Sequence, residues 1–325
     1  MKIVITIGTG NSGCGAVHDF LISNSKYKSP FKDQEFRMID DPDGILNLYH
    51  NFYKNCSINN SSNAIMRFKN YINNLINLEM NVNNKKVKIY NKNVLSLTNK
   101  YIKNITTVDY NSFPQFIAIQ TGFFKKNYFH FKKKLFGSKN NESFFKMYLP
   151  IKKDIFLKQS KIYLNKIIRY QFENKKIDHI VLDQAFNMFN FADSFSFFDN
   201  VKIILVTRDP RGIYNSMKTR GSLAYPHYNL DIWTEWYGQI MEQFNLYKKK
   251  IPKKYKKNIL EIKFEDFVKN HTKEQKKILN FLKTSKIDNK FDINKSKFNA
   301  YKAQYELSSL DKNYIKKKLS KYLQW

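Results

Sequence analysis

The stretch KIVITIGTGNSGCGAVHDFL, residues 2–21, decides the fold of this chain. It begins with an apolar, β-branched run at residues 2–7, which predicts a buried strand. Four of the ten glycines of the chain follow within eight residues, and apolar side chains then recur at helical spacing as far as Leu21. The pattern predicts a strand, a glycine-rich loop and a helix. Because the first N–H groups of a helix have no partner within it, the loop is a candidate anion site.

Two familiar nucleotide-binding loops match this stretch to different degrees. A Walker-type loop needs a lysine and then a serine or threonine after its last glycine, whereas Cys14 and Gly15 stand at those positions. This departure argues against a nucleoside triphosphatase. The dinucleotide fingerprint G-x-G-x-x-G is present in full, with Asp33 or Glu35 about 20 residues further on as the acid that would bind a ribose. An NAD(P)-dependent oxidoreductase is therefore one candidate function.

A third interpretation is a loop that holds a phosphosulfate group. Such a loop is a cradle of small residues with a central Ser-Gly, here Ser12 and Gly13, and it needs no metal. The helix N-terminus also predicts a lowered pKa for the Cys14 thiol. A second anion site elsewhere in the chain is needed to choose among the three interpretations.

The composition is strongly basic, since 57 lysines and arginines stand against 27 acidic residues and give a net charge of +30. Lysine is accompanied by abundant Asn, Ile, Phe and Tyr, a bias typical of AT-rich coding sequence. The charge is therefore weak evidence for a nucleic-acid partner, although a basic noncatalytic nucleic-acid-binding protein is a second alternative function. The charge favours acidic surfaces, polyanions or anionic ligands.

The cysteines and the hydropathy indicate the cellular compartment of the protein. Cys14 and Cys56 are the only two cysteines, and they make neither a disulfide framework nor a metal-ligand spacing. We therefore expect a cytoplasmic protein without a bound metal. No stretch approaches the roughly 18 apolar residues of a membrane-spanning helix, so no transmembrane segment is expected. Peripheral membrane contact and the oligomeric state stay open.

The second half of the chain alternates strands and helices. Runs at residues 178–183, 201–207 and 258–263 predict strands, and the middle one is nearly all apolar, as in a central strand of a parallel sheet. A short strand is also expected at residues 35–39. The alternation predicts an α/β fold with a parallel sheet whose ligands bind at the carboxyl ends of the strands.

The stretch at residues 45–176 differs from the rest. It shows little strand alternation and many Lys, Phe, Tyr, Ile and Asn residues. We interpret it as a large, mainly helical insertion within a single domain that spans residues 1–325. Its aromatic side chains are expected to form a core rather than a ligand platform.

Arginine is scarce except in one segment. Three of the six arginines fall within thirteen residues, at Arg208, Arg211 and Arg220. A guanidinium grips a phosphate through two parallel hydrogen bonds, which an ammonium cannot do. Asp209 can cap a helix that begins at Pro210. Ser216, in the second turn of that helix, projects back toward the strand end, where its hydroxyl would share an anion with Arg208.

These two sites together resemble those of the sulfotransferases that use 3′-phosphoadenosine 5′-phosphosulfate (PAPS). The family joins a 5′-phosphosulfate loop, matched here at residues 12–15, to a 3′-phosphate motif, matched by Arg208-Asp-Pro210 and by Ser216. The resemblance covers residues 2–25 and about 178–283. It implies a P-loop-like, three-layer α/β fold with a central parallel sheet and the large helical insertion.

The resemblance also implies the chemistry and the residues that perform it. A sulfuryl group would move from PAPS, the cosubstrate, to an acceptor hydroxyl, without a metal. The long, basic and aromatic-rich insertion suits a carbohydrate or glycan acceptor, and a lipid-linked sugar equally. The nucleotide would be bound by Gly10, Asn11, Ser12, Gly13, Cys14, Gly15, Arg208 and Ser216. A general base takes the acceptor proton, and Glu35 and Asp183 are the candidates.

One residue departs from the family pattern. The family usually has a lysine or arginine directly before the Ser-Gly, where it contacts the transferring group, and this chain has Asn11. An amide donates a hydrogen bond but carries no charge, so it stabilises a negative leaving group less. Either a cation from elsewhere replaces the missing one, or the chemistry is weakened, or the nucleotide is bound without transfer.

Overall fold

The structure is a computed structural model of the 325-residue chain. It describes residues 2–31, 34–82, 85–112, 145–172, 177, 179–284 and 291–324, together with residues 127, 131 and 134. The chain forms two compact units. One unit contains Met1–Arg37 and Asn174–Trp325, and the other contains Met38–Glu173.

The first unit is built on a five-stranded sheet. Its strands are β1 (Lys2–Gly8), β2 (Tyr27–Lys28), β7 (His179–Asp183), β8 (Val201–Thr207) and β9 (Ile259–Lys263). They are arranged in the order β2-β7-β1-β8-β9, and each pair of neighbours is parallel. The expected α/β fold with a central parallel sheet is therefore confirmed. The apolar run at Val201–Thr207 has a strand on each side, as its composition predicts.

Both faces of this sheet are buried. Val4 faces a cluster that includes Phe20, Phe267 and Leu282. Its neighbours in β1 point the other way, because side chains alternate along a strand, and Ile5 is 0% exposed there. Strands covered on both faces consist of continuous apolar residues, which explains why β1 and β8 show no polar alternation.

The helices described by the structure, numbered along the chain, begin and end as follows: α1 Cys14–Ile22, α2 Ile45–Tyr53, α3 Ile58–Asn77, α4 Asn93–Asn104, α5 Lys153–Tyr170, α6 Phe191–Ser194, α7 Pro210–Arg220, α8 Leu230–Lys249, α9 Lys253–Lys256, α10 Phe264–Lys269, α11 His271–Leu282, α12 Ile293–Glu306 and α13 Ser309–Lys318. Short 3₁₀ segments occur at Phe195–Phe197 and Ser320–Tyr322. None of the helices in these described ranges is both long and apolar enough to cross a membrane.

Helix α7 begins where the sequence predicts. The side chain of Asp209 accepts a hydrogen bond from the Arg211 backbone N–H at 2.9 Å, and Pro210 is the first helical residue. Gly221 ends the helix with φ 59°, a left-handed conformation that glycine adopts without strain. These signals fix the helix directly after β8.

The strand expected at residues 35–39 is not present. Glu35 makes a single parallel bridge with Asp183, and the residues after it form no ladder. The edge of the sheet is occupied by Tyr27–Lys28 instead, which pairs with His179–Asp183. The apolar side chains that suggested a strand are nevertheless buried, since Phe36 is 0% exposed. Burial without a continuing partner strand explains the difference.

The second unit contains helices α2 to α5 and two pairs of antiparallel strands. β3 (Glu79–Val82) pairs with β4 (Lys85–Lys88), and β5 (Thr106–Ser112) pairs with β6 (Phe145–Pro150). β5 is largely polar and exposed, with no apolar run, so the sequence pattern did not predict it. The division of the chain into one domain with an insertion at residues 45–176 stays a prediction.

Aromatic side chains form the core of the second unit. Tyr101 and Tyr163 stack with their ring centroids 4.3 Å apart, and both are buried. Their hydroxyl groups also have partners, because Tyr101 is hydrogen-bonded to Ser160 at 2.7 Å and Tyr163 to Thr98 at 2.6 Å. These rings do the packing expected of them from the sequence.

Candidate functional site

A cavity of about 380 Å³ lies at the carboxyl ends of the central strands of the first unit. It follows the end of β1 at Gly8, the end of β7 at Asp183 and the end of β8 at Thr207. Parallel sheets bind their ligands at this edge. The cavity is lined by Gly10, Asn11, Gly13, Cys14, Gly15, Ala16, Glu35, Asp183, Gln184, Arg208, Ser216, Arg220, Tyr225, Phe264 and Ser296.

The loop after β1 needs its glycines because other side chains approach it closely. Gly13 has φ 91°, and a Cβ there would lie 2.3 Å from the ring of Phe264. A Cβ on Gly10 would lie 2.1 Å from the Tyr225 hydroxyl. Asn11 also has a positive φ, of 63°, which asparagine tolerates better than most residues. The loop therefore turns sharply and leads directly into helix α1.

Arg208 joins the two predicted anion motifs. Its Nη1 donates hydrogen bonds to the backbone carbonyl of Asn11 at 3.0 Å and to the Ser216 hydroxyl at 2.9 Å. The guanidinium is 5% exposed and lies over the Phe264 ring at 5.0 Å. The loop after β1 and the helix after β8 thus share one cavity, and a single ligand can contact both.

Burial affects the charges around Arg208. It lowers the pKa of the Arg208 guanidinium to about 10, an effect that the neighbouring carboxylate of Glu265 opposes. Glu265 lies 4.0 Å from Arg208 and accepts a hydrogen bond from the Asp209 N–H at 3.1 Å. Burial raises the pKa of Glu265 to about 7. Arg208 stays protonated at neutral pH, so the cavity keeps this cation.

The other two arginines of the cluster have different surroundings. Arg211 is buried and makes two hydrogen bonds to the Asp209 carboxylate, from Nε at 2.8 Å and from Nη2 at 2.9 Å. Arg220, at the end of α7, reaches the loop and donates from Nη1 to the Asn11 side-chain oxygen at 3.3 Å. Arg211 is thus part of the helix start, whereas Arg220 lines the cavity.

Two carboxylates line the same cavity. Asp183 accepts a hydrogen bond from the Thr6 hydroxyl at 2.8 Å, and burial raises its pKa. Glu35 is about half exposed, and its carboxylate lies 3.5 Å from the Arg37 guanidinium. The backbone bridge between residues 35 and 183 holds the two acids side by side. The sequence-predicted base candidates are therefore brought together with the nucleotide-binding candidates.

Gln184 fixes the loop to the neighbouring strand end. Its side-chain amide accepts from the Gly8 N–H at 3.4 Å and donates to the Gly8 carbonyl at 3.3 Å. The residue itself has φ 51°, which is uncommon for glutamine and marks a constrained position. This contact stabilises the point where β1 becomes the loop.

The expectation of a lowered pKa for Cys14 is wrong. Burial raises the pKa of this thiol, and the carboxylate of Asp183 raises it further. The sulfur also accepts a hydrogen bond from Gln184 Nε2 at 3.1 Å. Desolvation outweighs the helix N-terminus here, so Cys14 is a thiol at neutral pH and not a nucleophile.

The structure places most of the predicted residues on the cavity wall. Ser12 differs, because its side chain is fully buried under the loop and is not among the lining residues. Asp33, the alternative ribose-binding acid, lies outside the described residues. Sequence reasoning did not expect Gln184, Tyr225 or Phe264 in the site. No sequence motif marks these three residues, because only the tertiary packing of the chain brings them to the cavity.

Comparison with known proteins identifies the relationship. Residues 107–288 match the sequence profile described as the sulfotransferase family, which is more than half of the chain. The chain belongs to the sulfotransferase family. The matched part includes Arg208 and Ser216 but not the loop after β1. Among curated proteins, none matches the chain.

Several solved structures of sulfotransferases are similar at low identity. The sulfotransferase domain of the olefin synthase from Synechococcus PCC 7002 is 12% identical, with a TM-score of 0.40, and the match covers 98% of this chain and 94% of that one. The sulfotransferase domain of the curacin biosynthetic pathway is also 12% identical, with a TM-score of 0.40, and the match covers 98% of this chain and 97% of that one. The sulfotransferase STF1 of Mycobacterium tuberculosis H37Rv is 11% identical, with a TM-score of 0.39, and the match covers 98% of this chain and 76% of that one.

Membership of this family makes the protein a sulfotransferase. It favours the transferase over the oxidoreductase, in which Glu35 or Asp33 would bind a ribose, and over a noncatalytic nucleic-acid-binding protein. Within the described ranges, no three His, Cys, Asp or Glu side chains are grouped as they would be around a metal ion.

Proposed function

We propose that this sulfotransferase moves a sulfuryl group from PAPS to a hydroxyl of a carbohydrate or glycan acceptor. The observation that carries the proposal is the pair of hydrogen bonds from Arg208 to the Asn11 carbonyl and to the Ser216 hydroxyl. It puts a buried guanidinium and a hydroxyl beside a glycine-rich loop at a helix N-terminus. Both halves of an adenosine nucleotide with phosphates at two positions have a binding group there.

The residues of the cavity fit such a nucleotide. Arg208 and Ser216 would hold the 3′-phosphate, and the loop residues Gly10, Asn11, Gly13, Cys14 and Gly15 would hold the 5′-phosphosulfate, with the Ser12 side chain buried behind them. A side chain at Gly10 or Gly13 would meet Tyr225 or Phe264, so glycine at these two positions lets the loop pack against the walls of the cavity. The donor set consists of guanidinium, hydroxyl and backbone amide groups, which suits phosphate and sulfate oxygens.

The bound donor supplies the sulfuryl group, whose sulfur bonds to the acceptor oxygen as its bond to the 5′-phosphate oxygen breaks. We assign the acceptor proton to the Glu35 carboxylate, which is half exposed on the cavity wall. Asp183 is the second candidate, and burial raises its pKa, which makes its carboxylate a stronger base. The products are a sulfate ester and 3′,5′-adenosine bisphosphate. The backbone N–H groups at the start of α1 would stabilise the charge that develops on the leaving 5′-phosphate.

The acceptor class rests on charge and aromatic surface. The net charge of +30 favours an acidic saccharide, and Tyr225 on the cavity wall would contact a sugar ring. Both cysteines are free thiols, which fits a reducing compartment such as the cytoplasm.

The test is calorimetric titration with 3′,5′-adenosine bisphosphate in the absence of added metal. We expect binding in the micromolar range for the parent, and a loss of about tenfold to 150-fold in Arg208→Ala, since a hydrogen bond to a charged group contributes about 1.5–3 kcal/mol. Ser216→Ala should lose less. Arg169→Ala, an exposed arginine at the end of α5, is the matched control and should bind like the parent.

Arg208 is buried, so each variant is first checked for a parent-like melting temperature. Ser216→Ala keeps the test valid if Arg208→Ala does not fold. A parent that binds NAD but not the bisphosphate would contradict the proposal. So would equal affinity in the parent and in both site variants.

A further inference from the structure

Two arginines converge on Asn11 from different positions in the fold. Arg208 directly follows β8 and donates to the backbone carbonyl of Asn11 at 3.0 Å. Arg220 is the last residue of α7 and donates to the side-chain oxygen of the same asparagine at 3.3 Å. The two guanidinium groups therefore flank one residue of the loop after β1.

Helix α7 explains how both cations reach the loop. Ser216 and Arg220 are four residues apart in this helix, so they lie on one face, one turn from each other. The Ser216 hydroxyl accepts from Arg208 at 2.9 Å, and one turn further on Arg220 lines the same cavity. The helix thus presents two neighbouring anion-binding positions, the first at Arg208 and Ser216 and the second at Arg220 and Asn11.

The charges of the cavity favour an anion at the second position. The positive charge of Arg220 contributes to the lowered pKa of Arg208, so the two cations repel each other across the cavity. A ligand with two anionic groups relieves this repulsion. The carboxylates of Glu35 and Asp183 line the same cavity, and they offset part of the positive charge. Arg211 does not take part, because its guanidinium is bound to Asp209.

We propose that Arg220, held by the Asn11 side chain, binds the sulfuryl group that is transferred. This inference rests on the proposed function. Position 11 has a left-handed backbone, which asparagine adopts more readily than lysine. The residue before the Ser-Gly therefore orients a cation through its amide oxygen instead of carrying one. The cation is supplied by the helix that also bears Ser216.

The proposal separates two ligands that differ only in the sulfuryl group. Titration with PAPS and with 3′,5′-adenosine bisphosphate, without acceptor, gives a ratio of two dissociation constants for each variant. In Arg220→Gln we expect the dissociation constant for PAPS to rise about tenfold and that for the bisphosphate less than threefold. Arg220→Lys keeps the charge and should show an intermediate loss for PAPS.

A matched control lies on the same helix. Lys218→Gln also removes one positive charge from α7, but the ammonium of Lys218 contacts Asp311 at 3.4 Å and does not line the cavity. It should leave both dissociation constants unchanged.

The outcomes distinguish this inference from the proposed function. If the parent binds neither nucleotide, the proposed function and the role of Arg220 are both contradicted. If the parent binds both nucleotides and Arg220→Gln weakens them equally, the transferase proposal stands and the role of Arg220 is overturned. An effect of Lys218→Gln as large as that of Arg220→Gln would also overturn it, since the loss would then reflect net charge alone.

Discussion

Replacing Gly13 by alanine should destabilise the first unit and disturb the nucleotide site together. Gly13 has φ 91°, a conformation that costs an L-residue about 1–2 kcal/mol. The new Cβ would also lie 2.3 Å from the Phe264 ring, and forcing a methyl group into packed surroundings costs about 1–3 kcal/mol. The two contributions add to about 2–5 kcal/mol of unfolding free energy.

Phe264 connects this change to ligand binding. The ring that must move lies 5.0 Å from the Arg208 guanidinium, and burial against this ring helps to fix the arginine. We therefore expect weaker binding of 3′,5′-adenosine bisphosphate in Gly13→Ala even where the variant is folded. Urea denaturation followed by circular dichroism measures the first effect, and calorimetry below the unfolding midpoint measures the second.

Gly15→Ala is the matched control, with the same chemical change two residues away. A Cβ on Gly15 would have no heavy atom within 4 Å, and its φ is not positive. Because alanine favours helices over glycine by up to about 1 kcal/mol, this variant should be as stable as the parent or slightly more so. Gly13→Ala within about 0.5 kcal/mol of the parent would refute the reasoning, and so would an equal loss in Gly15→Ala.

Two further predictions concern carboxylates. The folded state keeps the proton of Glu265 up to a pKa of about 7, whereas the unfolded chain loses it near 4.5, so this group's stabilising contribution is present below pH 4.5 and is lost as pH rises to about 7. The free energy of unfolding should fall by about 3 kcal/mol over this pH range, and Glu265→Gln should remove this pH dependence. Urea midpoints at pH 5 and pH 8 test this, and the same pH dependence in parent and variant would contradict it. With an acceptor that supports turnover, Glu35→Gln should lower kcat about 100-fold or more and leave the affinity for 3′,5′-adenosine bisphosphate within twofold. An unchanged kcat would exclude Glu35 as the base, and a larger loss in Asp183→Asn would assign the base to Asp183.

The sequence predicted the features whose causes are local. The strand, loop and helix at residues 2–21 depend on adjacent residues, and so do the cap at Asp209 and the helix start at Pro210. The closeness of Arg208 to the loop followed from the topology, because the carboxyl ends of parallel strands meet at one edge.

Two predictions are wrong, the strand at residues 35–39 and the lowered pKa of Cys14. Both depend on contacts with parts of the chain that are distant in sequence. The run after Glu35 is apolar enough for a strand, but Tyr27–Lys28 holds the edge beside His179–Asp183. The pKa of Cys14 depends on how deeply the thiol is buried, which the helix position alone does not reveal.

The arginine cluster shows the same limit. Its three members look equivalent in sequence, yet one binds Asp209 within its own helix turn and another meets Asn11 from 209 residues away. Only the folded chain separates their roles.

The pairing of β1 has a consequence for synthesis on the ribosome. This strand pairs with β7 and β8, and the hydrogen bond between Thr6 and Asp183 spans 177 residues. During synthesis, this apolar strand is thus without its neighbours until the residues of β7 and β8 have been made. Sequence-distant pairings form slowly and leave nascent chains prone to aggregation. Truncated chains that stop before His179 should therefore depend on chaperones to stay in solution.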